Sequence, residues 1–203
     1  MKASEKIAGG FCDNKSVAPY GDGKTYLAPM FYSPCGLVYN AELFREKGWA
    51  LPATWDEMWI LGDPAAEENI ALFTYPTADN CDTFLLALMH AIGGPEFSEA
   101  VTAYEADAWD SGNGKQLLNI LDKLAGYTHP STPAHANNQD FIRNQRLVMT
   151  KDALFMPSGT WISSLMAGET ETLENAFAWG SRCVLLRLRQ RCQSMYGCVR
   201  GFR

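Results

Sequence analysis

The sequence predicts an α/β protein, in which short apolar strands alternate with helices. Three observations support this fold class. Short apolar runs end at prolines or turn residues, good N-cap residues precede the helical stretches, and leucines recur at helical spacing between the runs. With 47% hydrophobic and 12% aromatic residues, this chain of 203 residues has the composition of a globular protein.

Two strands are predicted at the start of this pattern. Asp22-Gly23 is turn chemistry, and the partly β-prone stretch at 25–28 that follows it is predicted as a strand that ends at Pro29. Residues 36–39 form a second apolar run of strand length. We therefore expect two short strands separated by a break at the proline.

Two helices follow, and each begins at a strong N-cap. Asn40 is a good N-cap for a helix over 41–47, and Gly48 stands where a left-handed residue commonly ends a helix. Thr54 repeats the device, and Glu57 at the N3 position completes a capping box. The starts of both helices are thus signalled by side chains that accept backbone N–H groups.

The alternation of strands and helices continues along the chain. The predicted elements are a strand at 70–75 stopped by Pro76, a helix at 81–92 closed by Gly93-Gly94, a helix at 114–124 before Gly126, a loop at 127–138, a helix at 140–147, a strand at 153–156, a turn at 157–159 and a helix that starts at Trp161 and runs to Met166.

Several short motifs follow one another along the chain in a recognisable order. They are Asp22-Gly23-Lys24 with Pro29, Gly36 and Tyr39-Asn40 with Leu43-Phe44, Pro52 with Thr54-Trp55 and Glu57, Gly93-Gly94, Ser158-Gly159-Thr160-Trp161, and Ala178-Trp179-Gly180. In order and spacing they resemble the extracellular solute-binding proteins (family 1) of carbohydrate ABC transporters, of the maltodextrin-binding type. The resemblance covers residues 20–180.

The resemblance implies a periplasmic-binding-protein-like (type II) two-lobed fold that is incomplete at both ends, because family members are about twice this length. It divides the chain into an N-terminal remnant of lobe 1 at 1–21, a lobe 1 strand and inter-lobe crossover at 22–35, mainly lobe 2 at 36–180, and a tail at 181–203.

The tail differs sharply in composition from the rest. Residues 1–180 hold 11 basic and all 23 acidic residues, a net charge of −12, whereas the tail holds six arginines and three of the six cysteines. A shifted reading frame or a cloning junction explains such a change; the alternative is a basic amphipathic helix that binds nucleic acid or membrane. The overall net charge of −6 argues against nucleic acid as a general partner.

The resemblance implies the substrate-binding component of a sugar ABC importer, which binds a mono- or oligosaccharide in an inter-lobe cleft and delivers it to the permease subunits in the membrane. It implies no enzymatic activity. Because this chain resembles only part of such a protein, we expect it to bind sugar weakly or not at all, and to self-associate through unpaired strand edges.

The resemblance also implies a location. Family members are periplasmic, or extracellular and lipid-anchored. Residues 1–10 lack the apolar core of a signal peptide, so the chain as written is expected to be cytoplasmic.

A sugar site needs flat aromatic surfaces for the C–H faces of a pyranose and planar polar groups for its hydroxyls. Trp161 is the strongest candidate, because in the resembling family an aromatic at this place lines the cleft; the alternative is that it closes the core beside Phe155. Tyr32 either faces the cleft or packs a hinge. The full set of predicted ligand-binding residues is Trp161, Gly159, Thr160, Tyr32, Ser33, Tyr75, Asp79 and Asn80.

An enzyme is the rival class. A carbohydrate-active hydrolase needs two carboxylates across the scissile bond, and the available residues are Glu67, Glu68, Asp79 and Asp82. No cofactor or metal is expected, since the histidines have no ligands at metal-binding spacing. His90 is expected to be a core histidine; Cys12, Cys35 and Cys81 are expected to be buried thiols, and Trp55 and Trp59 to form a core or surface face of one helix.

Overall fold

A computed structural model of the chain describes residues 20–22, 24, 26, 35–76, 81–137, 142–171 and 177–182. The chain divides between Pro34 and Cys35 into two compact units. In the first unit, the Asp22 carboxylate accepts hydrogen bonds from the Lys24 backbone N–H at 3.0 Å and the Tyr26 hydroxyl at 2.6 Å. The predicted turn at Asp22 is therefore closed by its own side chain.

The second unit is built on a mixed four-stranded sheet. Its strands are β1 (Cys35–Asn40), β2 (Ala71–Phe73), β3 (Ala153–Gly159) and β4 (Trp179–Arg182), in the order β2-β3-β1-β4. β1 is antiparallel to both β3 and β4, whereas β2 is parallel to β3. The predicted α/β class is confirmed.

Helices fill the connections between the strands. They are α1 (Ala41–Lys47), α2 (Trp55–Glu67), α3 (Cys81–Thr102), α4 (Ala106–Asp110), α5 (Gly112–Gly126), α6 (Thr132–His135), α7 (Ile142–Met149), α8 (Ile162–Leu165) and α9 (Ala167–Thr170). Within the described residues, none of these helices has the length and hydropathy that a membrane crossing requires.

The predicted helix caps are confirmed. The Asn40 side chain accepts the backbone N–H groups of Glu42 and Leu43 at 3.1 and 3.2 Å, and Gly48 ends α1 in the left-handed region with φ 66°. Thr54 accepts the Glu57 N–H at 3.2 Å. Local sequence alone therefore fixes where α1 and α2 begin.

Two hydrophobic clusters form the core of the second unit. The larger one packs helices α1, α2, α3 and α5 around Leu37 and Phe155, and the smaller one packs α7 and α8 around Val38 and Met156. Successive strand residues point to opposite faces, and Val38 lies opposite Met156 in the antiparallel ladder. The two clusters thus occupy the two sides of the sheet.

The predicted turn at 157–159 is wrong, because β3 continues through Pro157 to Gly159. β2 pairs with β3 only as far as Phe155, so beyond that residue β3 has β1 as its ladder partner. A proline is tolerated where one side of a strand has no ladder to complete.

The other differences are in helix extent. The predicted helix end at Gly93-Gly94 is confirmed, because Gly94 breaks α3 with φ 74° and ψ −171°, but a second helical segment that the prediction lacked follows it to Thr102. The predicted loop at 127–138 contains α6, and α4 has no counterpart in the prediction. The helix predicted to start at Trp161 starts one residue later, at Ile162.

Candidate functional site

The candidate site lies at one edge of the sheet. β2 and β3 are parallel with Phe73 opposite Phe155, so their carboxyl ends emerge together. In open α/β sheets, ligands collect outside this edge. We call the residues at and just beyond these strand ends the strand-end site: Tyr75, Ser158, Gly159, Thr160 and Trp161.

Trp161 is held in place by a glycine. Its side chain is half-buried, and its indole ring lies so close to Gly159 that a β-carbon added there would overlap the ring. Phe155 packs instead against the rings of Tyr39 and Phe44, at centroid distances of 6.1 and 5.4 Å. In the described residues, Trp161 belongs to neither core cluster.

The other members of the site differ in exposure. Thr160 is exposed, Tyr75 is half-buried, and Ser158 is only 1% exposed. The Tyr75 carbonyl accepts a hydrogen bond from the Asn144 side-chain amide at 3.0 Å. The edge therefore combines an aromatic ring, an exposed hydroxyl and backbone groups that are already fixed by hydrogen bonds.

A small apolar cavity of about 20 Å³ opens beside this edge. It lies between the start of β1, the first turns of α3 and the end of β3, and its lining residues are Cys35, Gly36, Thr83, Phe84, Ala87, Pro157 and Ser158. A space of this size admits one water-sized group. It is far smaller than a pyranose ring, so a sugar would have to bind against the strand-end surface rather than inside this cavity.

The titratable groups near this edge include the Cys81 thiol, at the start of α3. Burial, and then the neighbouring Asp82 carboxylate, raise the pKa of the Cys81 thiol, so the thiol stays neutral near pH 7. Glu67 and Glu68 close α2 just before β2 begins, at the opposite edge of the sheet. They therefore form no carboxylate pair with Asp82, and within the described residues no cluster of metal-ligating side chains occurs.

A second group of aromatic rings is formed by two residues of α2 and the residue that follows α5. Trp55, Trp59 and Tyr127 are stacked in a row, with centroid distances of 5.3 and 5.8 Å, and we call these three residues the aromatic stack. The Lys123 ammonium lies 5.5 Å from a ring centroid of Trp59. A β-carbon at Gly62 would lie 2.7 Å from Tyr127 Cε1. The three rings cover one another's faces, which agrees with the structural role predicted for Trp55 and Trp59.

Four predicted site residues, Tyr32, Ser33, Asp79 and Asn80, lie outside the described residues, as does Cys12. Cys35, Cys81 and His90 are half-buried rather than fully buried. Cys35 is the first residue of β1, at the end of the sheet, and Cys81 and His90 lie in the first half of α3, which is only partly covered.

Sequence reasoning missed two residues of α7 that lie beside the strand-end site. Asn144 and Gln145 are both 0% exposed. They stand in the polar run Arg143-Asn144-Gln145-Arg146, which looks like a solvated helix face. No local signal distinguishes such a run from a surface one, because its burial depends on how α7 packs on the sheet.

Comparison with solved structures gives the class of the fold. The chain is similar to the bacterial solute receptor AcbH, described as exclusively preferring β-D-galactopyranose, with a TM-score of 0.61 and 19% identity over 80% of this chain and 40% of that one. A complex of the solute-binding protein RafE with raffinose gives 0.62 and 21%, over 89% of this chain and 46% of that one. A chitin oligosaccharide binding protein gives 0.59 and 20%, over 80% and 40%. The fold is that of sugar solute-binding proteins.

Among curated proteins, the chain is similar to the diacetylchitobiose binding protein NgcE of Streptomyces coelicolor, with 27% identity over 140 residues. No protein-family model matches the sequence. The match covers 67% of this chain and 29% of NgcE, so the chain spans less than a third of the length of this relative. The resemblance inferred from the motifs is confirmed.

Proposed function

We propose that this chain is part of the substrate-binding component of a sugar ABC importer, and that the strand-end site supplies contacts to the sugar. The observation that carries this proposal is the half-buried Trp161 ring, fixed on Gly159 at the carboxyl edge of β3 in a fold shared with sugar solute-binding proteins. An indole face set on backbone needs no reorganisation before a sugar ring stacks on it.

The remaining predicted residues supply the polar half of the contact. The exposed Thr160 hydroxyl lies next to the ring in sequence, and the half-buried Tyr75 follows the neighbouring parallel strand. Tyr32, Ser33, Asp79 and Asn80, which lie outside the described residues, stay sugar contacts predicted from sequence, since hydroxyls, carboxylates and amides pair with sugar hydroxyls. No covalent step is involved, and the sugar leaves unchanged.

The sugar that we propose is an oligosaccharide of pyranose units. Raffinose, chitin oligosaccharide, diacetylchitobiose and β-D-galactopyranose are named for the similar proteins, and all of them contain a pyranose ring. Among them we favour chito-oligosaccharide, because the relative matched by sequence is named for diacetylchitobiose.

Delivery to the permease is part of the same proposal. A two-lobed binding protein closes around its sugar, and a ligand shifts that equilibrium only through its preference for the closed state. In the importer the protein would act outside the cytoplasmic membrane, with the permease subunits as its partners.

The test is a titration of the isotope-labelled chain with chitobiose, chitotriose, raffinose and galactose, followed by the amide resonances. We expect weak, saturable shifts confined to the strand-end site for one sugar class. Trp161→Ala should abolish them, whereas the control Trp109→Ala, which removes a 39% exposed ring on α4, should leave them unchanged. Absence of any saturable shift at the strand-end site would overturn the proposal, and release of a cleaved sugar would favour the hydrolase alternative.

A further inference from the structure

Two fully buried amide side chains on α7 leave polar atoms without partners. Asn144 Nδ2 donates to the Tyr75 carbonyl, but within the described part of the chain Asn144 Oδ1 and both amide atoms of Gln145 have no hydrogen-bond partner. The same holds there for Ser158 Oγ. Burying such groups unpaired is costly, and native proteins nearly always give them a protein or water partner.

Two hydrogen bonds fix how α7 lies along the sheet. At the end of α7, the Met149 carbonyl accepts a hydrogen bond at 3.4 Å from the side chain of Asn40, which is the last residue of β1. Near its start, Asn144 reaches the Tyr75 carbonyl, just beyond β2. β1 is antiparallel to β3 and β2 is parallel to β3, so the last residue of β1 and the residue just beyond β2 lie at opposite ends of the sheet. α7, which runs from the second of these ends to the first, is therefore antiparallel to β3.

This orientation directs the first half of α7, which carries Gln145, toward the end of β3 that carries Ser158. Phe73 pairs with Phe155, so Tyr75 lies level with the residue just before Ser158. Gln145 lies one helical turn before Met149, which packs in the smaller core cluster with Met156. Ser158 is two residues beyond Met156 in β3 and therefore points to the same face of the sheet.

The chemistry of these groups matches water better than any ion. An amide offers two N–H donors and a carbonyl acceptor, and a serine hydroxyl both donates and accepts. The orphaned atoms carry no formal charge, and a neutral amide and hydroxyl set lacks the carboxylates that a divalent cation prefers. A buried water typically makes about three such hydrogen bonds.

We infer that Gln145 and Ser158, together with Asn144 Oδ1, bind ordered water between α7 and the end of β3, and that through this water Gln145 positions the Ser158–Trp161 segment. The second half of this inference rests on the proposed sugar site, whereas the first half does not. Gln145 is thus a positioning residue, which acts on the indole ring through Ser158 and Gly159 rather than by touching sugar.

A stability cycle tests the water. Gln145→Met keeps the length of the side chain and removes its amide, so loss of the water-held bonds should lower the melting temperature by about 3–6 °C. If the amide were dry and unpaired, the same change would raise it, and this result would overturn the inference. Because Gln145 and Ser158 share the water, Gln145→Met/Ser158→Ala should melt close to the weaker single variant; additive losses would contradict sharing. Gln116→Met on α5 is the matched control.

A second measurement does not depend on any variant being stable. In the wild-type chain, the Gln145 side-chain amide protons should give nuclear Overhauser effects to long-lived water, and the absence of these cross-peaks would overturn the inference.

Sugar titration tests the positioning role. Gln145→Met should weaken the affinity for the sugar that the wild type binds by about threefold to tenfold, whereas the matched control Gln116→Met should leave it unchanged. If Gln145→Met binds as well as wild type, the positioning role fails although the proposed function stands. If the wild type binds no sugar, the proposed function and the positioning role fail, and the water is judged by the melting and nuclear Overhauser results alone.

Discussion

The strand-end site and the aromatic stack each hold an aromatic ring against a glycine, Trp161 against Gly159 and Tyr127 against Gly62, but the surroundings of the two rings differ. Trp161 rests on Gly159 and remains half-buried, close in sequence to the buried Ser158. In the stack, Trp55 is 4% exposed, and each ring has another ring as its neighbour. The difference teaches that ring content alone does not mark a sugar platform. A platform needs a ring whose geometry is fixed by backbone while part of its surface remains available.

The largest expected effect separates the two regions by stability. Trp55→Ala should lower the free energy of unfolding by about 3–5 kcal/mol, because it empties a buried site in the larger core cluster. Trp161→Ala should cost about 1 kcal/mol, because its ring is half-buried and outside both clusters. Urea unfolding followed by circular dichroism measures both. Equal losses would mean that Trp161 closes the core after all.

The next effect uses the two glycines as a matched pair. Gly62→Ala and Gly159→Ala each place a methyl group against a ring, and each should destabilise the chain by about 1–3 kcal/mol. Only Gly159→Ala should change the sugar-induced shifts, because only that ring belongs to the proposed site. Gly168→Ala, where the added carbon meets nothing within 4 Å, is the control. If Gly62→Ala kept its fold but lost sugar binding, the prediction that only the strand-end site contacts sugar would be wrong.

A smaller effect concerns the charge over the stack. Lys123→Gln removes the ammonium beside Trp59, and it should lower the free energy of unfolding by about 0.5 kcal/mol. The control is Lys115→Gln on the same helix, which is exposed and has no ring contact among the described residues. Chemical unfolding of both variants at equal ionic strength checks this. A matching loss in the control would assign the effect to general charge rather than to the ring.

The smallest effects depend on pH, and only the second of them involves the aromatic stack. Hydrogen bonds from Arg146 lower the pKa of the Glu169 carboxyl below its ordinary 4.5, so its contribution is complete above that value and is lost as the pH falls through the lowered pKa. Asp63 accepts the Tyr127 hydroxyl and raises the pKa of that phenol above its ordinary 10.0, so this contribution is complete below pH 10.0 and is lost as the pH rises through the raised pKa.

Two variants test which group produces the acid side and which the alkaline side of the pH dependence of stability. Glu169→Gln should flatten the acid side of a plot of melting temperature against pH, and Tyr127→Phe should flatten the alkaline side. An acid-limb effect of Tyr127→Phe, or an alkaline one of Glu169→Gln, would show that these partners do not set the pKa values.

Much of the fold could be predicted from local sequence. Asn40 and Thr54 cap helices because their side chains accept N–H groups within the next three residues, and such contacts need no tertiary information. Gly48 and Gly94 likewise mark helix ends through their positive φ values. Elements governed by the neighbouring few residues were therefore the ones predicted correctly.

The errors arose where distant partners decide. Local rules predict a turn at Pro157. It lies in β3 instead, because it is paired with β1, which is distant in sequence. Gln145 looks solvated in sequence, but α7 packs it onto the sheet. For the candidate site, the sequence predicted Trp161 together with Gly159 and Thr160. It missed the buried amides behind them, since burial is a property of packing and leaves no periodic signal in a short polar run.

The order of the strands also has a consequence for how the chain is made. β1 lies between β3 and β4, and both partners come far later in the sequence. During synthesis from the N-terminus, β1 therefore leaves the ribosome with neither edge paired and stays so while four longer helical segments emerge. Pairings between such distant segments form slowly. β1, one of the two inner strands of the sheet, therefore stays unpaired until residues 153–159 and 179–182 have been made.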